Sequence, residues 1–182
     1  MLETARVDFP LVHRPAIKAH GTPRKGKATL EANLEGTILN LLSRPGAASA
    51  AEIIAALESR GPFSMRAAGP GQWLVVFDRL LVPHEIDECE NDLKGTAYVV
   101  DQTHGRVRIR LQGSSARCVL AKGTGVDLHP DVFAIGSSAM TLIGHIGVNL
   151  TRIDTDAFEL LVLRSFAESL WHELEHMSNE FF

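Results

Sequence analysis

Residues 97–123 read AYVVDQTHGRVRIRLQGSSARCVLAKG, and their pattern decides the fold. From Arg106 to Gln112 the chain alternates strictly. Val107, Ile109 and Leu111 fall on one face, and Arg106, Arg108, Arg110 and Gln112 on the other, the period of a strand with one apolar side. Ala97–Asp101 is a second strand-like run, and His104-Gly105 supplies a tight turn between the two. Ser114 or Ser115 then caps a short helix carrying Ala116, Val119 and Leu120, which Lys122-Gly123 closes. The unit is therefore strand, turn, strand, helix.

Upstream, the same reading gives a complete motif. Thr37–Leu42, TILNLL, is a short apolar strand followed by a Ser-Arg-Pro-Gly break. Ser49 with Glu52 three residues on forms a capping-box pattern, opening a helix with Ile53, Ile54 and Leu57 as its buried stripe and Gly61-Pro62 as its stop. Strand-like runs at 63–68 and 72–77 flank Gly69-Pro70-Gly71, a hairpin signal. Pro83 fits the first turn of a helix whose apolar side is Ile86, Cys89 and Leu93. With Ala97–Asp101 the order is β-α-β-β-α-β, the split βαβ or ferredoxin-like arrangement.

Downstream, much of that order repeats. Met140–Ile153 reads as one long strand, with Leu142, Ile146, Val148 and Leu150 on one face and Gly144 and Gly147 permitting a bend. Phe158–Leu163 is the next strand. Ser165 and Glu168 suggest a second capping box, opening a terminal helix with Phe166, Leu170, Leu174 and Met177 on its buried side. The expected fold class is α+β, two ferredoxin-like halves packed as one unit over residues 34–182. Residues 1–33, broken by Pro10, Pro15 and Pro23 and rich in Arg and Lys, are expected to be an N-terminal arm, either free or laid along another surface.

Composition narrows the function classes. The chain has 182 residues, 45% hydrophobic, with a net charge of −4, which supports neither a nucleic-acid partner nor a membrane-surface role. The opening MLETARVDF has no apolar signal region and no run is long enough to span a bilayer, so a cytoplasmic location is expected. Cys89 and Cys118 lack metal or redox spacing and read as reduced thiols.

The most conspicuous motif, His172-Glu173-Leu174-Glu175-His176, matches the HExxH zinc-peptidase pattern. Leu170, Leu174 and Met177 define the core side of that helix, which turns both histidines towards solvent instead of a walled cleft. A peptidase reading is therefore rejected, and adventitious metal binding by the pair is the most it supports. His129 in DLHP reads as a turn residue, and Trp73 and Trp171 as packing anchors. The stripe Arg106, Arg108, Arg110 is the candidate partner interface, since three like charges on one face need something to neutralise them. Its alternative is a solvated sheet face.

Taken in order, GPGQWLVV at 69–76, VVDQTHGRVRIRLQGSSARCVLAKG at 99–123, VDLHPDVF at 126–133, FELLVLRS at 158–165 and FAESLW at 166–171 resemble the gamma subunit of heterotetrameric sarcosine oxidase. The resemblance covers roughly residues 34–178. It implies the fold of the folate-binding domain of the glycine-cleavage T-protein (aminomethyltransferase). It also implies a non-catalytic, structural role in a complex that oxidatively demethylates sarcosine to glycine, passing the one-carbon unit to tetrahydrofolate. Alpha, beta and delta subunits are the implied partners. FAD, FMN, NAD, zinc and tetrahydrofolate are implied to reside in those subunits, with no cofactor in this chain. The T-protein's catalytic Asn-x-Asp segment has no counterpart, so no catalytic residue carries over. HELEH is no part of the family pattern. Two alternatives stand beside this expectation: the gamma subunit of a related N-methyl amino acid oxidase or dehydrogenase, and a stand-alone folate-binding or one-carbon-transfer protein. The isolated chain is expected to self-associate through apolar faces meant for partners.

Overall fold

A computed structural model describes residues 15–18, 27–32, 35–45 and 49–181. The FPLV segment of the expected arm and its basic residues Arg14, Arg24 and Lys25 lie outside them. In the first half, β2 (Thr37–Ser43), α1 (Ala50–Leu57), β3 (Ser64–Gly69), β4 (Gln72–Phe77), α2 (Pro83–Asp92) and β5 (Ala97–Asp101) follow the expected order. The strands form an antiparallel sheet in the order β3-β4-β2-β5, the ferredoxin-like arrangement.

Local chemistry accounts for the helices. The Ser49 amide donates to the Glu52 carboxylate at 2.6 Å, so the capping-box pair ties down the start of α1. Ile53 and Leu57 are buried one turn apart, whereas Ile54, expected beside them, is 45% exposed because it lies about 100° round the helix. In α2, Pro83 occupies the first turn and Glu85 accepts a hydrogen bond from the Val82 amide at 2.8 Å. That bond, with Arg79 nearby, holds the Glu85 carboxyl below its ordinary value.

The second half departs from expectation in three places. Met140–Ile153 is a hairpin, β7 (Ser138–Ile143) and β8 (Ile146–Asp154), with Ile143 paired to Ile146 across Gly144-His145. Gly144 adopts φ +57°, which a glycine accepts without a Cβ penalty. The reversal also changes which residues share a face: Ile143 and Val148 enter the core, while Leu142 is 55% exposed. After β9 (Ala157–Leu163), the 3-10 turn Arg164–Phe166 precedes α4 (Ala167–Ser178), so Phe166 occupies the N-cap position and the Ser165–Glu168 box does not form. Phe166 is consequently half exposed rather than buried. Leu170, Leu174 and Met177 face the core as their spacing requires.

The third departure concerns the arm. Thr29–Ala32 forms β1, antiparallel to β6 (Arg106–Gln112). The resulting sheet has the order β1-β6-β9-β8-β7. Relative to a ferredoxin-like unit β6-α3-β8-β9-α4, where α3 is Ala116–Ala121, β1 occupies the place of the missing fourth strand and β7 is an added edge. The Lys27 amide donates to the Phe181 carbonyl at 2.9 Å, so α4 ends where β1 begins. The second half is thus a ferredoxin-like unit closed by a strand from the other end of the sequence.

The turn at 102–105 also differs in what it joins. Gly105 and Arg106 amides donate to the Gln102 carbonyl at 3.0 and 3.1 Å, a tight turn as read. Yet β5 and β6 belong to different sheets, so this turn carries the chain from one half to the other. α1 and α2 cover one sheet through Ile53, Leu57, Cys89 and Leu93, packed on Leu39, Leu41, Val75 and Phe77. On the other, α3 and α4 cover Val107, Ile109, Leu111, Phe158, Leu160 and Val162. Between the sheets lie Ile38, Leu74, Val76 and Leu161. Four layers result, helix, sheet, sheet, helix, with the arginine face of β6 turned inward.

Candidate functional site

That inward turn determines the chemistry of the stripe. Arg108 is 4% exposed and donates through Nε and Nη2 to the Glu159 carboxylate at 3.2 and 3.0 Å. From β3 on the opposite sheet, Arg66 Nη2 reaches the same carboxylate at 2.6 Å. Arg108 also donates to Asp78 and to the Glu35 carbonyl. Gly36 permits this last contact. Its φ is +142°, and a Cβ there would lie 2.3 Å from the Phe77 carbonyl oxygen and 2.5 Å from Arg108 Nη1.

The groups of this cluster titrate differently. Burial raises the pKa of the Glu159 carboxyl, but the charges of Arg66 and Arg108 and their hydrogen bonds prevail and hold it below the ordinary carboxylate value. Arg66 has its Nη1 buried without a partner, and burial pulls it below the ordinary guanidinium value. Arg108 is subject to the same burial but is held above that value by Glu159 and Asp78.

Arg108 therefore leaves the candidate partner interface. The neutraliser that its stripe required is Glu159, supplied from within the chain. Arg110 is partly exposed, with Glu159 at 3.6 Å and Glu31 at 3.8 Å. Arg106 is half-buried, and its Nε is buried without a hydrogen-bond partner. Glu159, Arg66 and Asp78 went unread in the sequence, although a signal was present. A lone carboxylate in FELLVL, a strand otherwise apolar on both faces, demands a cation, and Arg66 in SMRAA poses the reciprocal demand.

The remaining singled-out residues are dispersed. His172 and His176 lie on the exposed face of α4, with His172 Nδ1 3.4 Å from Glu175. Among the described residues no group of three His, Cys, Asp or Glu side chains is placed to hold a metal ion. His129 accepts at Nδ1 from the Asp131 amide at 3.4 Å, and its own amide donates to Asp127, a turn as read. Trp73 and Trp171 each pack against a core cluster. Cys89 is buried and Cys118 exposed. No helix among the described residues is long and apolar enough to cross a membrane.

Residues 52–180 match the sarcosine oxidase, gamma subunit family. A sarcosine oxidase subunit gamma from Corynebacterium sp. (strain U-96) is 30% identical over 114 residues, 60% of this chain and 56% of that relative. The match thus spans little more than half of the relative's length. A chain of the heterotetrameric sarcosine oxidase from Corynebacterium sp. U-96, solved in complex with pyrrole 2-carboxylate, superposes with a TM-score of 0.75 at 25% identity, covering 87% of this chain and 88% of that one. Glycine cleavage system aminomethyltransferase T from Bartonella henselae superposes with a TM-score of 0.59 at 15% identity, over 82% of this chain and 46% of that one. The T-protein-like fold is thereby established.

Proposed function

The chain belongs to the sarcosine oxidase gamma subunit family, and from that premise we propose that it is the non-catalytic gamma subunit of a heterotetrameric sarcosine oxidase. The observation that carries this reading is the superposition of nearly the whole fold on one chain of a solved heterotetramer. In this reading the alpha, beta and delta subunits house the flavins, NAD, zinc and the folate site. They convert sarcosine to glycine while the gamma chain holds the assembly together.

The surface supports such a role. β5 is an edge strand, and on its inward face Tyr98 is 50% and Val100 41% exposed, with Leu42 of β2 paired beside Tyr98 and 39% exposed. The Arg44 guanidinium stacks on the Tyr98 ring at 4.0 Å but leaves half of the side chain exposed, and a strand that is an edge among the described residues, flanked by exposed side chains of this kind, is a surface an assembly protects. Arg106 and Arg110 remain the polar candidates for partner contact; Arg108 does not.

Co-expression tests the role directly. With all four subunits present, a soluble complex with sarcosine-dependent oxygen uptake is expected. When this chain is omitted, uptake should fall by about tenfold or more as an obligate interface is lost. Full activity from a complex assembled without it would contradict the proposal.

A further inference from the structure

A cavity of about 190 Å³ lies at the junction of the two sheets. The starts of β2 and β6, the turn between β5 and β6, and the residue after β9 line it, and it is open to solvent on one side. Three arginines, Arg106, Arg108 and Arg164, dominate its polar lining, and its apolar lining includes Ala16, Ile38 and Leu80. Arg108 is already engaged by Glu159, Asp78 and the Glu35 carbonyl. Arg106 is in a different position. Its guanidinium makes no hydrogen bond or ion pair with the described residues, and its Nε is sealed from solvent. Burial lowers its pKa from the ordinary guanidinium value, with no compensating ion pair among the described residues. A buried donor left unmatched by the described residues in this way points to a group from elsewhere.

We propose that this cavity binds a small organic monocarboxylate, its carboxylate on the Arg106 guanidinium and its apolar part against Ile38 and Leu80. Arginine presents paired donors in the geometry a carboxylate accepts. A single negative charge fits better than a phosphate dianion, because Arg108 is already paired with Glu159 and Asp78 and because Glu35 also lines the cavity and would repel a second charge. The volume is below the about 300–1,000 Å³ of pockets that enclose drug-sized ligands, which restricts the occupant to a small acid.

Calorimetric titration of the full chain with benzoate, and separately with acetate, at constant chloride is the test. Benzoate is expected to bind saturably at one site with a Kd of about 1 mM or tighter, and acetate more weakly because it lacks the apolar body. Arg106→Gln should weaken benzoate binding at least about tenfold, while the exposed Lys94→Gln leaves it unchanged. Leu80→Trp, at a 57% exposed position on the cavity wall, should also block benzoate while keeping the melting temperature of the parent chain. This second variant separates loss of the site from loss of the fold. Absence of saturation up to about 10 mM, or benzoate affinity in Arg106→Gln and Leu80→Trp equal to that of the parent chain, would overturn the site and leave an adventitious association only.

Discussion

Glu159→Ala is expected to cost about 3–5 kcal/mol of folding free energy, the usual consequence of removing one partner of a buried ion cluster. The carboxylate is 1% exposed and is the anion shared by Arg66 and Arg108, which approach from opposite sheets. Without it, two guanidinium groups stay buried against each other. Urea unfolding followed by circular dichroism measures the loss. The triple variant Arg66→Met, Arg108→Met, Glu159→Leu should recover most of it, since apolar residues of similar volume fill the layer without unpaired charge. A Glu159→Ala midpoint equal to that of the parent chain would show that the cluster does not hold the sheets together.

The same carboxylate sets a pH dependence of definite sign. Its pKa in the folded chain is depressed, so its contribution is complete above the unfolded Glu value of about 4.3 and is lost as pH falls through the lower folded value. Stability of the parent chain should therefore drop more steeply below about pH 4 than stability of Glu159→Gln.

A chain beginning at residue 33 is the second large perturbation. It lacks Ile17, 1% exposed, Leu30, 7% exposed, and all four β1–β6 pairs. Loss of two buried aliphatic side chains alone costs about 2–5 kcal/mol each, against a typical total stability of about 5–15 kcal/mol. The truncated chain should be unfolded or aggregated at 25 °C, with the edge of β6 uncovered. Retention of the parent unfolding midpoint would mean that β1 contributes little and that the arm is separable from the domain.

These two sites mark where the sequence was legible and where it was not. Alternation in RVRIRLQ places Val107, Ile109 and Leu111 together, and turn residues such as Gly69-Pro70-Gly71 locate the hairpin, because both signals are local. What covers each face is not local. The arginine face of β6 carries the pattern of a solvated or docking surface, yet a second sheet lies over it, and only pairing Glu159 with Arg66 across 93 residues reveals this. Likewise TLEA at 29–32 is too short to declare itself a strand, and its partner lies at 109–112. The β7–β8 reversal at Gly144-His145 carries little local signal, because apolar residues continue on both sides of it without a proline. The lineage, in contrast, was legible in the order of the sequence blocks, which the family match at 52–180 bears out.

The central claim is that this chain works as one subunit among others. Native mass spectrometry of the tagged chain purified from its own host tests it most directly. The account predicts a flavin-containing assembly in which one copy of this 19.8 kDa chain accompanies three different subunits. Recovery of the chain alone, colourless and at its own mass or a multiple of it, would contradict it.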